Sequence, residues 1–465
     1  MNDPNGLVYY QQEFHMFYQY HPFGTKWGPM HWGHAVSKDL VHWEHLEIGL
    51  SPDENGMIFS GSAVVDWNDT SGFFNGKTGL VAIFTQHDSD PNREQPRQQQ
   101  SLAYSIDNGR TWIKYSHNPV LVNVEKIDFR DPKVFWHEQT NNWIMVLATG
   151  DCIEIYSSPN LKEWRFESSF KGHTGAKFGV WECPDLFTLP IEGDPNQTKW
   201  VLLVSHGDQP TSRYGSRTQY FVGDFDGHTF TEDGSDHKVK WLDSGKDNYA
   251  GVSWSDTVDS RRIYIGWMSN WRYANETPTQ GWRGAMTLPR ELFLTSKSLL
   301  LQKPIKELEN LRDKHIQIMN QMIAPDKDFL SNLQGTTWEI IAEFEFEEVK
   351  EFGLKVFKSP NKETLIGYNV DKEEIYIDRR NSGETSFNRF FASLDSVSFK
   401  APNNRIKFHV FVDHSSIEVF CNNGEIAMTN LIFPDSLSKD LDLYSSGGNV
   451  KLLSLDVYQL KPIWS

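Results

Sequence analysis

Ser37-Lys38-Asp39-Leu40-Val41-His42-Trp43 is a short polar turn that delivers a tryptophan to the segment that follows, and the chain repeats the device. Ser105-Ile106-Asp107-Asn108-Gly109 leads to Trp112, and Ser158-Pro159-Asn160-Leu161 leads to Trp164. Asp224-Phe225-Asp226-Gly227 leading to Phe230 is a weaker fourth copy. Each copy has a strand-like run before it and an aromatic opening another run after it. Recurrence at roughly 50–70 residues is the mark of β-propeller blades, each burying its faces against its neighbours. Up to residue 298 the surroundings agree. Short runs such as Gly6–Tyr10 with Glu13–Tyr20, Gly61–Asp66 with Leu80–Gln86, and Trp143–Ala148 with Ile153–Ser157 alternate with Gly, Pro, Asn and Asp turns, and helical periodicity is nearly absent. A propeller domain over residues 1–298, with about five blades, is the expectation.

Beyond it, Ile305, Leu308 and Leu311 fall at helical spacing after Pro304, so residues 299–325 read as a linker containing a short helix. From 326 to 465 the period changes to two. Trp338, Ile340, Ala342, Phe344 and Phe346 alternate with mostly acidic residues, Ile406–Val412 and Ile417–Phe420 do likewise, and Asn423-Gly424 turns a hairpin. A C-terminal β-sandwich fits, which makes the whole chain all-β. Gly447-Gly448 has no following helix or Lys-Ser/Thr, so it reads as a turn and not as a phosphate loop.

The 465 residues carry 45 Lys+Arg against 62 Asp+Glu, a net charge of −17, which argues against nucleic acid or an anionic membrane surface as partner. No run of about 20 apolar residues would span a bilayer. With 17 Trp, 16 Tyr and 30 Phe, the chain suits a neutral polyhydroxy ligand, whose rings stack on aromatic faces. Its 3 cysteines are too few and too scattered for a disulfide framework.

Three acidic stretches stand next to prolines: Asn2-Asp3-Pro4-Asn5-Gly6, Phe129-Arg130-Asp131-Pro132 and Trp181-Glu182-Cys183-Pro184-Asp185. Proline pushes the residue before it toward extended backbone and Asn5-Gly6 favours a tight turn. The expectation is therefore three stiff, acid-bearing turns whose carboxylates converge on one pocket. His31/His34 and His42/His45 are each spaced by three, which on a strand puts the two rings on opposite faces, so no metal site is expected there.

Taken in order with Phe59-Ser60-Gly61-Ser62, these motifs resemble glycoside hydrolase family 32, which holds invertases, exo-inulinases and levanases, and most of all its bacterial levanase and exo-inulinase branch. Phe411-Val412-Asp413-His414-Ser415-Ser416-Ile417-Glu418-Val419-Phe420 extends the likeness into the C-terminal sandwich. The resemblance implies a five-bladed propeller with an axial active site, and a retaining exo-β-fructosidase acting on terminal fructosyl bonds of levan- or inulin-type fructans and sucrose. It implies Asp3 as nucleophile, Glu182 as acid/base and Asp131 as stabiliser of the oxocarbenium-like transition state. Arg130 is expected to keep Asp131 ionised or to orient the sugar, and the apolar neighbours of Glu182 to favour its protonated form. A fructose pocket of Asn2, Gln19, Trp27, Phe59, Ser60 and Trp271 is implied, with Trp267 and Trp282 competing for the place of Trp271; Asp185 is either near the acid or structural.

No metal or organic cofactor is implied. Two alternatives remain open: a fructosyltransferase of the same fold, and a catalytically weak fructan-binding protein. A monomer is expected before an oligomer. The likeness further implies natural sequence before Met1, with a secretion signal and an extracellular enzyme; the alternative is a cytoplasmic one.

Overall fold

The computed structural model describes residues 1–89, 96–123, 125–176, 178–209, 212–234, 238–325, 327–330 and 333–464. The chain forms two compact units. The first holds Met1–Leu242, Tyr249–Trp267 and Gly281–Leu299; the second holds Asp243–Asn248, Met268–Gln280 and Leu300–Ser465. Two short stretches inside the span read as propeller are thus counted with the second unit.

The first unit is the five-bladed propeller. Its first blade is Pro4–Tyr10, Glu13–Tyr20, His31–Ser37 and Trp43–Leu50; its second is Met57–Asp66, Gly79–Asp88, Arg97–Ser105 and Ile113–Lys114. The third is Arg130–His137, Asn142–Thr149, Cys152–Ser158 and Arg165–Phe170, and the fourth is Trp181–Ile191, Asp194–His206, Arg217–Phe225 and Phe230–Glu232. Tyr249–Ser253, Ile263–Met268 and Arg290–Leu294 carry the fifth. The first strand of each blade packs on the first strand of the next, and the fifth returns to the first. The return is hydrogen-bonded: Tyr9 donates its backbone N–H to the Ser255 carbonyl at 2.9 Å, and Ser255 donates to that of Leu7 at 3.0 Å.

The repeated turn joins the third strand to the fourth in blades one to four, and its sequence explains its shape. Asp39, Asp107 and Asn160 each accept backbone N–H groups from residues two to four positions later through the side chain, the Asx chemistry that stabilises turns. The tryptophan then folds back. Trp43, Trp112 and Trp164 each donate the indole N–H to the carbonyl three residues earlier, at 3.1, 3.0 and 2.9 Å. Asp226 makes the same turn before Phe230.

The three acidic stretches are not turns. Each lies in or at the start of an innermost strand, at a β-bulge. Register slips between Asn5 and Val8, between Arg130 and Lys133, and between Glu182 and Asp185, and the second and fifth blades slip in the same place, at Ile58/Gly61 and Tyr249/Val252. Pro132 and Pro184 are among the residues the ladder skips, where a missing N–H forfeits no strand hydrogen bond. Asp131, expected to be extended, instead has φ +62°, and Cys183 and Ala250 have φ +45° and +55°. Gly6 has φ +53°, and a Cβ there would stand 2.6 Å from the Phe17 ring.

The second unit is a β-sandwich. One sheet runs Arg312–Ile323, Val450–Leu460, Trp338–Glu345, Arg405–Asp413, Ser416–Cys421, Ile426–Leu431; the other runs Leu394–Ser398, Glu374–Asp378, Thr364–Asn369, Glu351–Lys358, Asp440–Ser446. Ile340, Phe344, Phe352, Ile366, Phe408 and Val457 are among the fully buried residues between them. The linker expected over 299–325 is mostly strand. Only Lys306–Leu311 is helical, as a 3₁₀ helix burying Leu308 and Leu311, and Arg312–Ile323 is the sandwich's edge strand. Most of that strand's residues are exposed, so the alternation that would have marked it is missing. Arg379 and Asp247 form a fully buried ion pair at 2.6 Å within this unit, and Tyr273 donates to Asp247 at 2.6 Å.

Gly6→Ala is expected to destabilise the propeller by about 1–3 kcal/mol, from a left-handed backbone and a crowded Cβ together. Urea denaturation checks it; a wild-type midpoint would show that the bulge tolerates a side chain.

Candidate active site

The five bulges all lie near the starts of the innermost strands, so the side chains they re-aim gather at one end of the propeller axis. From the first blade comes Asp3. Its backbone is clamped, with Gln19 N–H donating to the Asp3 carbonyl at 3.0 Å and Asn2 N–H to that of Gln19 at 2.9 Å. Asn5 adds a side-chain donor to the same Asp3 carbonyl at 3.0 Å. Ser60, from the second blade, donates its hydroxyl to Asp3 Oδ2 at 2.8 Å. The other oxygen, Oδ1, is buried and has no hydrogen-bond partner.

The third and fourth blades supply the rest. Asp131 Oδ2 accepts from the Cys183 backbone N–H at 3.0 Å, and the Cys183 sulfur stands 3.6 Å from Oδ2 of both Asp131 and Asp3. Glu182 Oε1 accepts from Arg130 Nη2 at 3.1 Å and Nε at 3.3 Å, and Glu182 Oε2 accepts from the Tyr249 hydroxyl. Arg130 is in turn anchored by Asp128 and Gln98. It also approaches Asp131 to 3.9 Å and opposes the rise of that carboxyl, so it serves the expected neighbour and Glu182 as well.

Burial is the largest influence on Asp3, and the charges of Asp131 and Glu182 act in the same direction, pushing it from 3.8 up to about 7. Burial also raises Asp131, to about 6, with Arg130 opposing and Glu182 adding to the rise. Burial and the surrounding acids hold the Cys183 thiol well above its ordinary value, so it is a neutral spacer between two carboxyl groups.

The remaining expected residues divide. Gln19 is buried and donates Nε2 to the Ile58 carbonyl at 3.0 Å, beside Ser60. Phe59 stacks on His87 at 4.4 Å, and Trp27, 45% exposed, meets Phe59 edge-on at 6.1 Å. Asn2, Asp3, Gln19, Trp27, Phe59, Ser60, Arg130, Asp131 and Glu182 therefore form one connected set. Trp271 is half-buried in the Met268–Gln280 stretch of the second unit. Of its two competitors, Trp267 is buried and packs against Tyr249 at 6.3 Å, while Trp282 is largely exposed. Asp185 is structural: fully buried, it accepts from Ser253 N–H and Oγ and pairs with Lys133 at 3.4 Å.

The paired histidines are dispersed. His34 bonds His15, His31 the Pro29 carbonyl, His42 Asp39, and His45 Tyr18. Among the described residues no group of three or more His, Cys, Asp or Glu is arranged to hold a metal. All three cysteines are free and buried. Sequence reading missed Tyr249. The signal was its position at the start of the fifth innermost strand, where the other blades carry Asp3, Ser60, Asp131 and Glu182.

Buried carboxyl groups around a polar pocket, one with a free oxygen, are the equipment of glycoside hydrolases. The Glycosyl hydrolases family 32 N-terminal domain model matches residues 1–304, and the Glycosyl hydrolases family 32 C terminal model matches residues 307–459. Levanase from Bacillus subtilis (strain 168) is 52% identical over 474 residues, covering 100% of this chain and 69% of that protein. Levanase from Bacillus sp. (strain L7) is 40% identical, and the chain spans 51% of its length. The crystal structure of exo-inulinase from Aspergillus awamori superposes with a TM-score of 0.91 at 37% identity, covering 100% of this chain and 96% of that one. The chain belongs to glycosyl hydrolase family 32.

The raised Asp3 carboxyl has a consequence for stability. Its folded value of about 7 lies above the ordinary 3.8, so between those pH values the folded state holds a proton the unfolded state lacks, and stability falls as pH rises. Asp3→Asn removes that loss. It is expected to stabilise the protein by about 1–4 kcal/mol at pH 7.5 and hardly at all near pH 4. Thermal melts of both proteins at the two pH values check this; equal stabilisation at both would contradict it.

Proposed function

We propose that the protein is a retaining exo-β-fructosidase that releases fructose from the non-reducing ends of levan- or inulin-type fructans and from sucrose. The single observation that carries the reading is the carboxyl arrangement: Asp3 with one oxygen held by Ser60 and the other buried and unpartnered, and within reach of its charge a Glu182 held by Arg130 and Tyr249. In this reading Asp3 Oδ1 attacks C2 of the terminal fructosyl unit while Glu182 gives its proton to the departing oxygen. Glu182 then takes a proton from water, which attacks the same carbon and frees Asp3. Asp131 binds fructose hydroxyls and its charge favours the oxocarbenium-like transition state. Tyr249 orients Glu182, and Asn2, Gln19, Trp27 and Phe59 complete the sugar pocket. Levanases and an exo-inulinase as relatives support fructan as the substrate. A polymeric fructan cannot cross a bilayer, so the site of action is outside the cell.

Fructose is expected to emerge first as the β-anomer, one unit at a time. Early NMR spectra and chromatography of products from levan, inulin and sucrose test this. Initial α-fructose would end the retaining assignment, and an early ladder of oligosaccharides would show internal cleavage.

Asp131→Asn keeps the shape and removes the charge, and is expected to lower kcat by about 10²–10³-fold without loss of stability. Near-wild-type kcat would make Asp131 a bulge residue only. Tyr249→Phe is expected to lower kcat by about tenfold and to shift the pH profile of kcat/KM, because Glu182 loses a hydrogen-bond donor; an unchanged profile would remove Tyr249 from the acid/base machinery.

A further inference from the structure

The catalytic groups occupy the starts of the innermost strands, and a second concavity opens at their other ends. It has a volume of about 520 Å³, within the usual range for small-molecule sites. Val65 and Trp136 line it, each five residues along its strand from Ser60 and Asp131, which is about 16 Å at strand rise. This concavity and the catalytic carboxyls therefore lie toward opposite ends of the propeller axis.

Its walls are aromatic and its rim is polar. Trp67 is 55% exposed, yet its plane is fixed: the indole N–H donates to Asp256 Oδ1 at 2.9 Å, and Tyr10 packs edge-on at 6.1 Å. Trp136 is half-buried, with Trp143 edge-on against it at 5.2 Å. A large indole held rigid with a face left open to solvent is a binding platform, since neither core packing nor chain entropy requires it. Around it stand the carboxylate of Asp256, the guanidinium of Arg262 and the exposed amides of Asn68 and Asn141. Charges of both signs beside neutral amides disfavour a phosphate or other simple anion. Flat apolar faces flanked by planar hydrogen-bonding groups suit a sugar ring, whose C–H face stacks while its hydroxyls bridge donors and acceptors.

We propose that this recess is a second, non-catalytic carbohydrate-binding site, which holds one stretch of a fructan chain while the opposite mouth of the propeller cleaves chain ends. That the sugar is a fructan rests on the β-fructosidase reading above; the site itself does not. A second contact on the same molecule keeps the polymer near the exo-acting site between cuts and raises the local concentration of ends. A substrate as short as sucrose gains nothing from it.

The test uses the whole chain. Electrophoresis through gels containing levan or inulin is run in the Glu182→Gln background, to prevent digestion, with and without Trp67→Ala or Asn141→Ala. Steady-state kinetics on levan and on sucrose are measured for the same two substitutions in otherwise unaltered enzyme. Trp67→Ala is expected to weaken retardation by about fivefold or more and to raise KM for levan, with sucrose kcat/KM unchanged. Asn141→Ala is expected to act in the same direction more weakly. Three results would overturn the proposal: no retardation in the Glu182→Gln protein, equal retardation with and without both substitutions, or a parallel fall in sucrose turnover, which would make Trp67 a structural prop. Failure of the β-fructosidase reading is separate, since it would appear as no fructose from any substrate with the unaltered enzyme.

Discussion

Like charges cannot all ionise in one buried pocket. Asp3, Asp131 and Glu182 are brought together out of bulk water, and their mutual repulsion, added to desolvation, would expel them unless something compensated. The compensation is specific. Arg130 places its positive charge on Glu182 and is itself gripped by Asp128 and Gln98. Ser60 and the Cys183 amide each give one neutral hydrogen bond to a carboxylate. What remains uncompensated raises Asp3 and Asp131, so the two carboxyls that must be charged to attack and to stabilise positive charge are the ones the crowding resists ionising. The pocket's instability and its chemistry are two descriptions of one crowding.

Such crowding needs a rigid frame, and the bulges supply it. A regular strand would alternate these side chains in and out of the axis. Skipping residues turns Asp131 and Cys183 inward on left-handed backbone, at about 1–3 kcal/mol each. The ring of packed first strands offsets that strain, so the backbone keeps conformations it would leave if any blade were absent. Proline at two of the bulges restricts the chain further without sacrificing a ladder bond.

How much of this could be read from residues depends on how local each feature is. The blade turns were legible because Asp39 and Trp43, or Asn160 and Trp164, settle their geometry within a few positions of one another. The carboxyl cluster was legible through its acid and proline neighbours, though as turns and not as bulges, because a bulge exists only relative to the partner strand. Tyr249 carries no such marker. Arg130 was visible but its bond to Glu182 was not, since Glu182 lies 52 residues further on. The edge strand Arg312–Ile323 hid because it buries almost nothing on either face. The division into units was out of reach for a related reason: Asp247 is tied into the second unit by Leu431 N–H, 184 residues away.

The ring has no strand borrowed from a distant part of the chain in its first blade; all four strands there are consecutive. Its join lies between the first and fifth blades, stitched by the backbone bonds of Leu7 and Tyr9 to Ser255. The strand on one side of that join is the one Asp3 leads into. Any excursion that unstitches the join also releases the Asp3 carboxyl, which its surroundings push further from its ordinary value than they push Asp131. Electrostatic pressure inside the site and the mechanical closure of the whole propeller therefore meet in one seven-residue segment, Pro4–Tyr10. A sugar that screens or neutralises that pressure on binding would act as a clasp on the ring, making the loaded protein slower to breathe than the empty one.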